Sequence, residues 1–194
     1  KVTGRSDLPS NDARRWQSGP HLRVSLGYLD AIIDYLAATD IRMYRISSDL
    51  APYVTHPDLP QFHQQIDECA DELAQLGAKA RSLGIRLSFH PSQFILLNSP
   101  DPALVAKSVQ DLAAQARMLD AMGLGSEAVV VTHVGGVYGD LASGRERWAL
   151  AWEQLPELVR RRLVLEHDDT RFDTADVLWI QARTGVRLVF DYLH

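Results

Sequence analysis

Apolar residues in this chain recur first at helical spacing, then in short runs, and the two patterns alternate along most of its length. Leu22, Leu26, Leu29, Ile33 and Leu36 predict a helix over residues 22–38. The run IRMYRI predicts a strand over 41–46, followed by a long loop, SSDLAPYVTHPDLP, that contains His56. Phe62, Ile66, Cys69, Leu73, Leu76 and Leu83 predict one helix over 61–83, stopped by Gly84. Ile85, Leu87 and Phe89 make the next strand, which ends on His90 because Pro91 has no N–H to pair. Ser99-Pro100-Asp101-Pro102 opens a third helix, with Leu104, Val105, Val109, Leu112, Ala116 and Leu119 inward and Gly123 at its end. Strands follow over 129–132, 163–165 and 186–190. Between them lie a helix carrying Trp148, Trp152 and Leu155, and a shorter one over 174–183 closed by Gly185. Residues 1–20 are polar, with Gly4, Pro9, Gly19 and Pro20, and read as a loop.

Alternating strands and helices with connections of this length require parallel strands. A doubly wound sheet fits five strands, but its binding crevice draws on a few loops at one switch point. Here nearly every strand ends on a residue of ligand type, which favours a TIM (β/α)8 barrel, where all the loops following strands converge on one mouth. Such a barrel takes about 250 residues and eight strands. Residues 1–194, read as a single TIM-barrel domain, would then be incomplete, with about five of the eight strands present. The first strand and the last two would be lacking, so the chain is expected to be a fragment or to be completed by a partner.

Composition narrows the setting. The chain has 194 residues, 46% of them hydrophobic, enough for one sizeable core. A net charge of −5 gives no global argument for nucleic acid or membrane. The single cysteine, Cys69, excludes an intrachain disulfide and suits a reducing compartment. No apolar run nears the roughly 18 residues of a membrane span, and the first residues show no signal-peptide core, so a cytoplasmic protein is expected.

The chemistry gathers at the strand ends. His90 ends one strand, His133 (in VVVTHVGG) the next, Glu166 (in LVLEHDD) the next, and Asp191 followed by His194 (in LVFDYLH) the last. A lone strand-end histidine is more often a hydrogen-bonded core residue, but four successive ends carrying divalent-metal ligand types argue for a metal site. Basic residues sort by end. Lys79, Arg81, Arg160, Arg161 and Arg162 precede strands and read as solvated or ion-paired surface; Arg5, Arg14, Arg15, Arg145 and Arg171 fall at the ligand end and form a modest footprint for phosphates. Gly135-Gly136 reads equally as a close approach to phosphate or as a tight turn. His21 and His63 are expected to be solvated at helix starts, and Trp148 with Trp152 to be core.

The segments YRISS, HPSQFILLNSPDP, THVGG, VLEHDD and LVFDYLH together resemble the UV damage endonuclease family, metal-dependent DNA repair nucleases on a TIM barrel, related in architecture to endonuclease IV and the xylose isomerase-like barrels. The resemblance runs from about Ile41 onward, and HPSQF and LEHDD are its most specific parts. It implies that His90, His133 and Glu166 hold one ion, that Glu166 bridges to a second shared with Asp191, and that His194 serves a third. The catalytic set would be Glu166, His90, His133 and Asp191. By the same resemblance Gln93 and Phe94 wedge into DNA at the lesion, and His56 lies near the site or faces DNA. Up to three divalent ions are implied in the complete protein, Mn2+ first, with Zn2+, Co2+ or Mg2+ as alternatives. The substrate would be double-stranded DNA carrying UV lesions, cut 5′ to the photoproduct by a protein that is monomeric when complete. Two ions about 4 Å apart suit phosphodiester hydrolysis, since they neutralise attacking and leaving oxygens together. With the family's later ligands absent from these residues, the chain alone is expected to hold nearer one ion than three and to cut poorly. Two departures stand out: Glu166-His167-Asp168-Asp169 replaces the family's Glu-Asn-Asp-Glu, and Phe94 stands where some members carry Tyr. Two other readings compete. A sugar isomerase or epimerase would want a lysine or second acid in the mouth, where only the helical Lys107 is found. The other is a partial barrel that binds damaged DNA without cutting.

Overall fold

Leu22, Leu26, Leu29, Ile33 and Leu36 are buried along one stripe of helix α1 (Leu22–Ala38) in the computed structural model, which describes residues 15–192. The stripe predicted from spacing is the stripe that packs. Its start is capped by His21, whose Nδ1 accepts the Arg23 N–H at 3.1 Å while Nε2 lies 3.0 Å from Glu68. His21 is thus a cap that also hydrogen-bonds Glu68, where a solvated residue was expected. His63 is likewise engaged, its Nε2 donating to the His56 carbonyl at 2.8 Å.

The described residues cluster into two compact units, residues 15–88 with 117–128 and residues 89–116 with 129–192. In the first, α1 packs on helix α3 (Ala70–Ser82). The single helix predicted over 61–83 is instead a 3-10 turn (Pro60–Phe62), a short α2 (Gln65–Glu68) and α3. One cause is visible: the buried Gln65 amide donates to the Phe62 carbonyl at 2.8 Å, taking the acceptor that a continuous helix would give to a backbone N–H. The break at Cys69 (φ −112°, ψ 21°) has no such account. Lys79, grouped with the bottom-face basics, pairs with Asp30 and Asp34 on α1, as the ion-paired reading anticipated, whereas Arg81 donates to the Met122 and Gly123 carbonyls. Beside strand β1 (Met43–Ile46) runs β2 (Arg86–Phe89), the Arg86 N–H donating to the Arg42 carbonyl at 2.8 Å.

In the second unit, Phe89 at the end of β2 stands opposite Val130 of β3 (Val130–Thr132). β3 pairs in parallel with β4 (Leu163–Glu166), and β4 with β5 (Arg187–Val189). All four residues of β4 are buried, as in a strand covered on both faces. Helix α4 (Pro102–Ala121), of which residues 102–116 lie here, starts at Asp101, whose carboxylate accepts the Ala103 N–H. α5 (Leu141–Gln154) packs on α7 (Thr174–Thr184), and a short α6 (Glu157–Arg160) precedes β4. Trp148 is fully buried and stacks on Trp152, as core. Strand order in the sheet follows chain order, β1 to β5, so the α/β class read from the pattern is the class found. Among the described residues no helix is long and apolar enough to cross a membrane.

Candidate metal centre

Strand register brings the ligand-type residues together. Phe89 stands opposite Val130, and Val130 opposite Leu163, so His90 is level with Val131 and Val164. Two residues further along lie His133 and Glu166, which continue the Thr132–Leu165 pairing. Side chains alternate with a period of two, so His90, His133 and Glu166 project from one face of the ladder. Their ligand atoms lie within 4.8 Å of one another. Nε2 of His90 and Nε2 of His133 each lie 3.3 Å from the same oxygen, Oε2 of Glu166. The rings meet edge to face with centroids 5.2 Å apart.

The chemistry of this donor set fits a divalent cation. Bonds of about 2.0–2.1 Å at tetrahedral angles separate neighbouring ligand atoms by about 3.3 Å, the spacing seen between each imidazole and the carboxylate. His90 Nδ1 donates to the Pro91 carbonyl at 3.1 Å, which turns the Nε2 lone pair towards Glu166. The Glu166 side chain is only 3% exposed, a burial that a carboxylate tolerates when cations or donors surround it. His90 and His133 line a pocket of about 380 Å³ together with Ser92, Gln93, Gly135, Asp168 and Arg171.

One buried residue that the sequence pattern did not single out holds the pocket wall. Asn98 donates through Nδ2 to the Gly136 carbonyl at 2.7 Å, joining the segment after β2 to the segment after His133. Gly135 has φ +115°, and a Cβ there would meet Asn98 Oδ1 at 2.5 Å, so this position needs glycine. Gly135-Gly136 therefore has a structural explanation, which leaves the phosphate reading unsupported. Asn98 closes an apolar run, and its partner is 38 residues away, so nothing local marked it.

The remaining expected site residues distribute as follows. Asp191 is half-buried and does not join the 4.8 Å group. Glu166 is level with Val189, so Asp191 stands two residues further along its strand, roughly 6.6 Å. His194 lies outside the described residues, as do Arg5 and Arg14. Gln93 lines the pocket and Phe94 is 69% exposed. His56 is exposed in the first unit, edge-on to Tyr53. His167 is buried and stacks on Phe190, centroids 4.6 Å apart. Arg145, expected in the phosphate footprint, pairs instead with Asp176 at 2.9 Å and lies over Trp179.

Comparison with known proteins agrees with the geometry. The family model described as "UV-endonuclease UvdE" matches residues 25–194. A UV DNA damage endonuclease of Bacillus velezensis is 36% identical over 162 residues, covering 84% of this chain and 50% of that protein. Another, from Bacillus cereus strain B4264, is 32% identical over 173 residues, 89% of this chain and 54% of that protein. The chain thus spans about half the length of the curated relatives it matches. Among solved structures, the crystal structure of SacUVDE superposes with a TM-score of 0.81 at 30% identity, covering 98% of this chain and 63% of that one. A D-psicose 3-epimerase crystallised with D-fructose gives 0.58 at 13% identity, over 85% of this chain and 56% of that one, a likeness of fold alone.

Proposed function

Given that the chain belongs to the UV-endonuclease family UvdE, we propose that it carries the metal-binding part of an endonuclease that cuts DNA 5′ to a UV photoproduct. The observation that carries this reading is the His90–His133–Glu166 trio at the ends of adjacent parallel strands. These three residues would hold a divalent cation, Mn2+ in the first instance, with Asp191 and His194 serving further ions. When bound, the ion supplies Lewis-acid charge beside the scissile phosphodiester. The residues themselves do the rest. Glu166 brings one oxygen within 3.3 Å of both imidazole nitrogens, so all three could hold one ion. His90 is oriented by the Pro91 carbonyl, so its tautomer is set before substrate arrives. Gln93 and the exposed Phe94 lie just beyond His90, where an aromatic ring can stack in place of an unpaired base. His56 is assigned a DNA-facing role on resemblance alone. The protein would act on damaged duplex DNA in the cytoplasm, as a monomer when complete.

The test is incision of irradiated against unirradiated plasmid by the complete protein, with Mn2+ and with EDTA. Cutting that depends on both irradiation and metal supports the reading. Equal cutting of both plasmids, or cutting undiminished by EDTA, overturns it.

A further inference from the structure

Arg171 lines the same pocket as His90, His133 and Gln93, and it differs from the other arginines of its unit. Arg145 is paired with Asp176, Arg160 with Glu157, Arg147 donates to the carbonyls of Asn98 and Val137, and Arg183 lies over Trp179. Among the described residues no carboxylate pairs with the Arg171 guanidinium; its recorded bond is through the backbone.

That backbone is held from both sides. The Asp168 carboxylate accepts the N–H of Thr170 at 2.9 Å and of Arg171 at 2.6 Å through Oδ1, and of Phe172 at 3.3 Å through Oδ2. The Asp168 N–H in turn donates to the Phe172 carbonyl at 2.9 Å. Phe172 is fully buried, and Gly144 of α5 leaves room for its ring, where a Cβ would stand 2.8 Å from it. A tight, anchored loop therefore presents a long cationic side chain from a fixed Cα. Fixing the base of a cation lowers the ordering cost when an anion binds.

We propose that Arg171 is a substrate-binding residue that takes a phosphate of the bound DNA strand, using the two-pronged guanidinium for a phosphodiester oxygen pair. This rests on the DNA-cutting reading above. A guanidinium and a bound cation sharing one pocket repel each other, and a phosphodiester lying between them would be attracted to both. Asp168 is the positioning residue: it acts by holding the loop that carries Arg171.

The experiment is equilibrium binding of an irradiated duplex oligonucleotide in EDTA, where the ion's part in cutting is withdrawn, over a series of KCl concentrations. Arg171→Ala is expected to bind about tenfold more weakly at low salt. Its log–log salt slope should be shallower by about 0.9, one phosphate contact. Arg171→Lys keeps the charge, so its slope stays near that of the unsubstituted protein while affinity still falls. Arg160→Ala, at the opposite end of β4, serves as the charge control and should leave the slope unchanged. An unchanged slope in Arg171→Ala overturns the proposal, as does an equal drop in Arg160→Ala, which would mean net charge alone is read. Failure of the complete protein to cut irradiated plasmid with Mn2+ is a different result: it removes the underlying reading, whatever the Arg171 slopes.

Discussion

His133 Nε2 lies 3.3 Å from Oε2 of Glu166 because Thr132 and Leu165 stand opposite each other in the parallel ladder one residue earlier. The site is thus a product of register, and a one-residue slip of either strand would turn one ligand to the other face. Rigid strands place these donors more accurately than loops would.

Removing a donor should remove the ion. His133→Ala or Glu166→Gln is expected to weaken Mn2+ binding more than about a hundredfold, since even partners of metal ligands are worth 10–100-fold. In the unsubstituted protein, Mn2+ at a hundred times its Kd should add about 2.7 kcal/mol of stability, seen as a rise in Tm of several degrees. The variants should show no such rise. A Tm that climbs with Mn2+ equally in all three proteins would place the ion elsewhere.

The wedge residues predict the opposite division of effects. Phe94 is 69% exposed, so Gln93→Ala with Phe94→Ala should change unfolding by under about 0.5 kcal/mol. The Mn2+-induced rise in Tm should persist, while preference for irradiated over unirradiated DNA falls. A loss of the metal response in this double variant would show that the pair supports the site instead of reading the lesion.

The legible parts of the chain were those governed by simple periods. α1 was readable because its core stripe is uninterrupted, and the trio because three parallel strands each end on a donor. The helix over 61–83 was misread for an equally physical reason. Phe62, Ile66, Cys69 and Leu73 keep helical spacing across a 3-10 turn and a break, and the residue that parts the 3-10 turn from α2 is polar Gln65, invisible to an apolar pattern. Asn98 and the Arg145–Asp176 pair depend on contacts between distant segments, which no local period records.

Cys69 should be inert in the folded protein. It is fully buried, and burial pushes its thiol pKa up, because the thiolate would lose its hydration. Alkylation by iodoacetamide at pH 8 should proceed only as fast as the protein opens. The linkage has a definite sign: with the folded pKa raised, the thiol's contribution is complete below the unfolded value of about 8.5 and is lost as pH climbs through the folded value. Cys69→Ala should therefore lose less stability than the unsubstituted protein between pH 7 and 9.5 in urea titrations. Rapid native alkylation, or identical alkaline losses, would contradict this.

Gln65 carries the last prediction. It is buried, and its amide makes three bonds: Nε2 donates to the carbonyls of Pro52 at 2.6 Å and Phe62 at 2.8 Å, and Oε1 accepts the Leu22 N–H at 2.7 Å. The last satisfies one of the donors that the first turn of α1 cannot satisfy itself. Gln65→Leu keeps the volume and strands all three groups in an apolar setting, at about 1 kcal/mol or more each, so a loss of about 3 kcal/mol is expected. For a chain of this size that is roughly 6–12 °C in Tm. Gln65→Glu separates polarity from shape. Its carboxylate can still accept from Leu22 but faces two carbonyls, so its folded pKa must rise and its neutral form must be the better fit. Stability of Gln65→Glu should recover as pH falls towards 5, where the protonated acid can donate, while Gln65→Leu should show no such recovery. Urea titrations at pH 5 and pH 7.5 distinguish the two, and a Glu variant with the same deficit at both would show that the amide's bonds do not hold this loop.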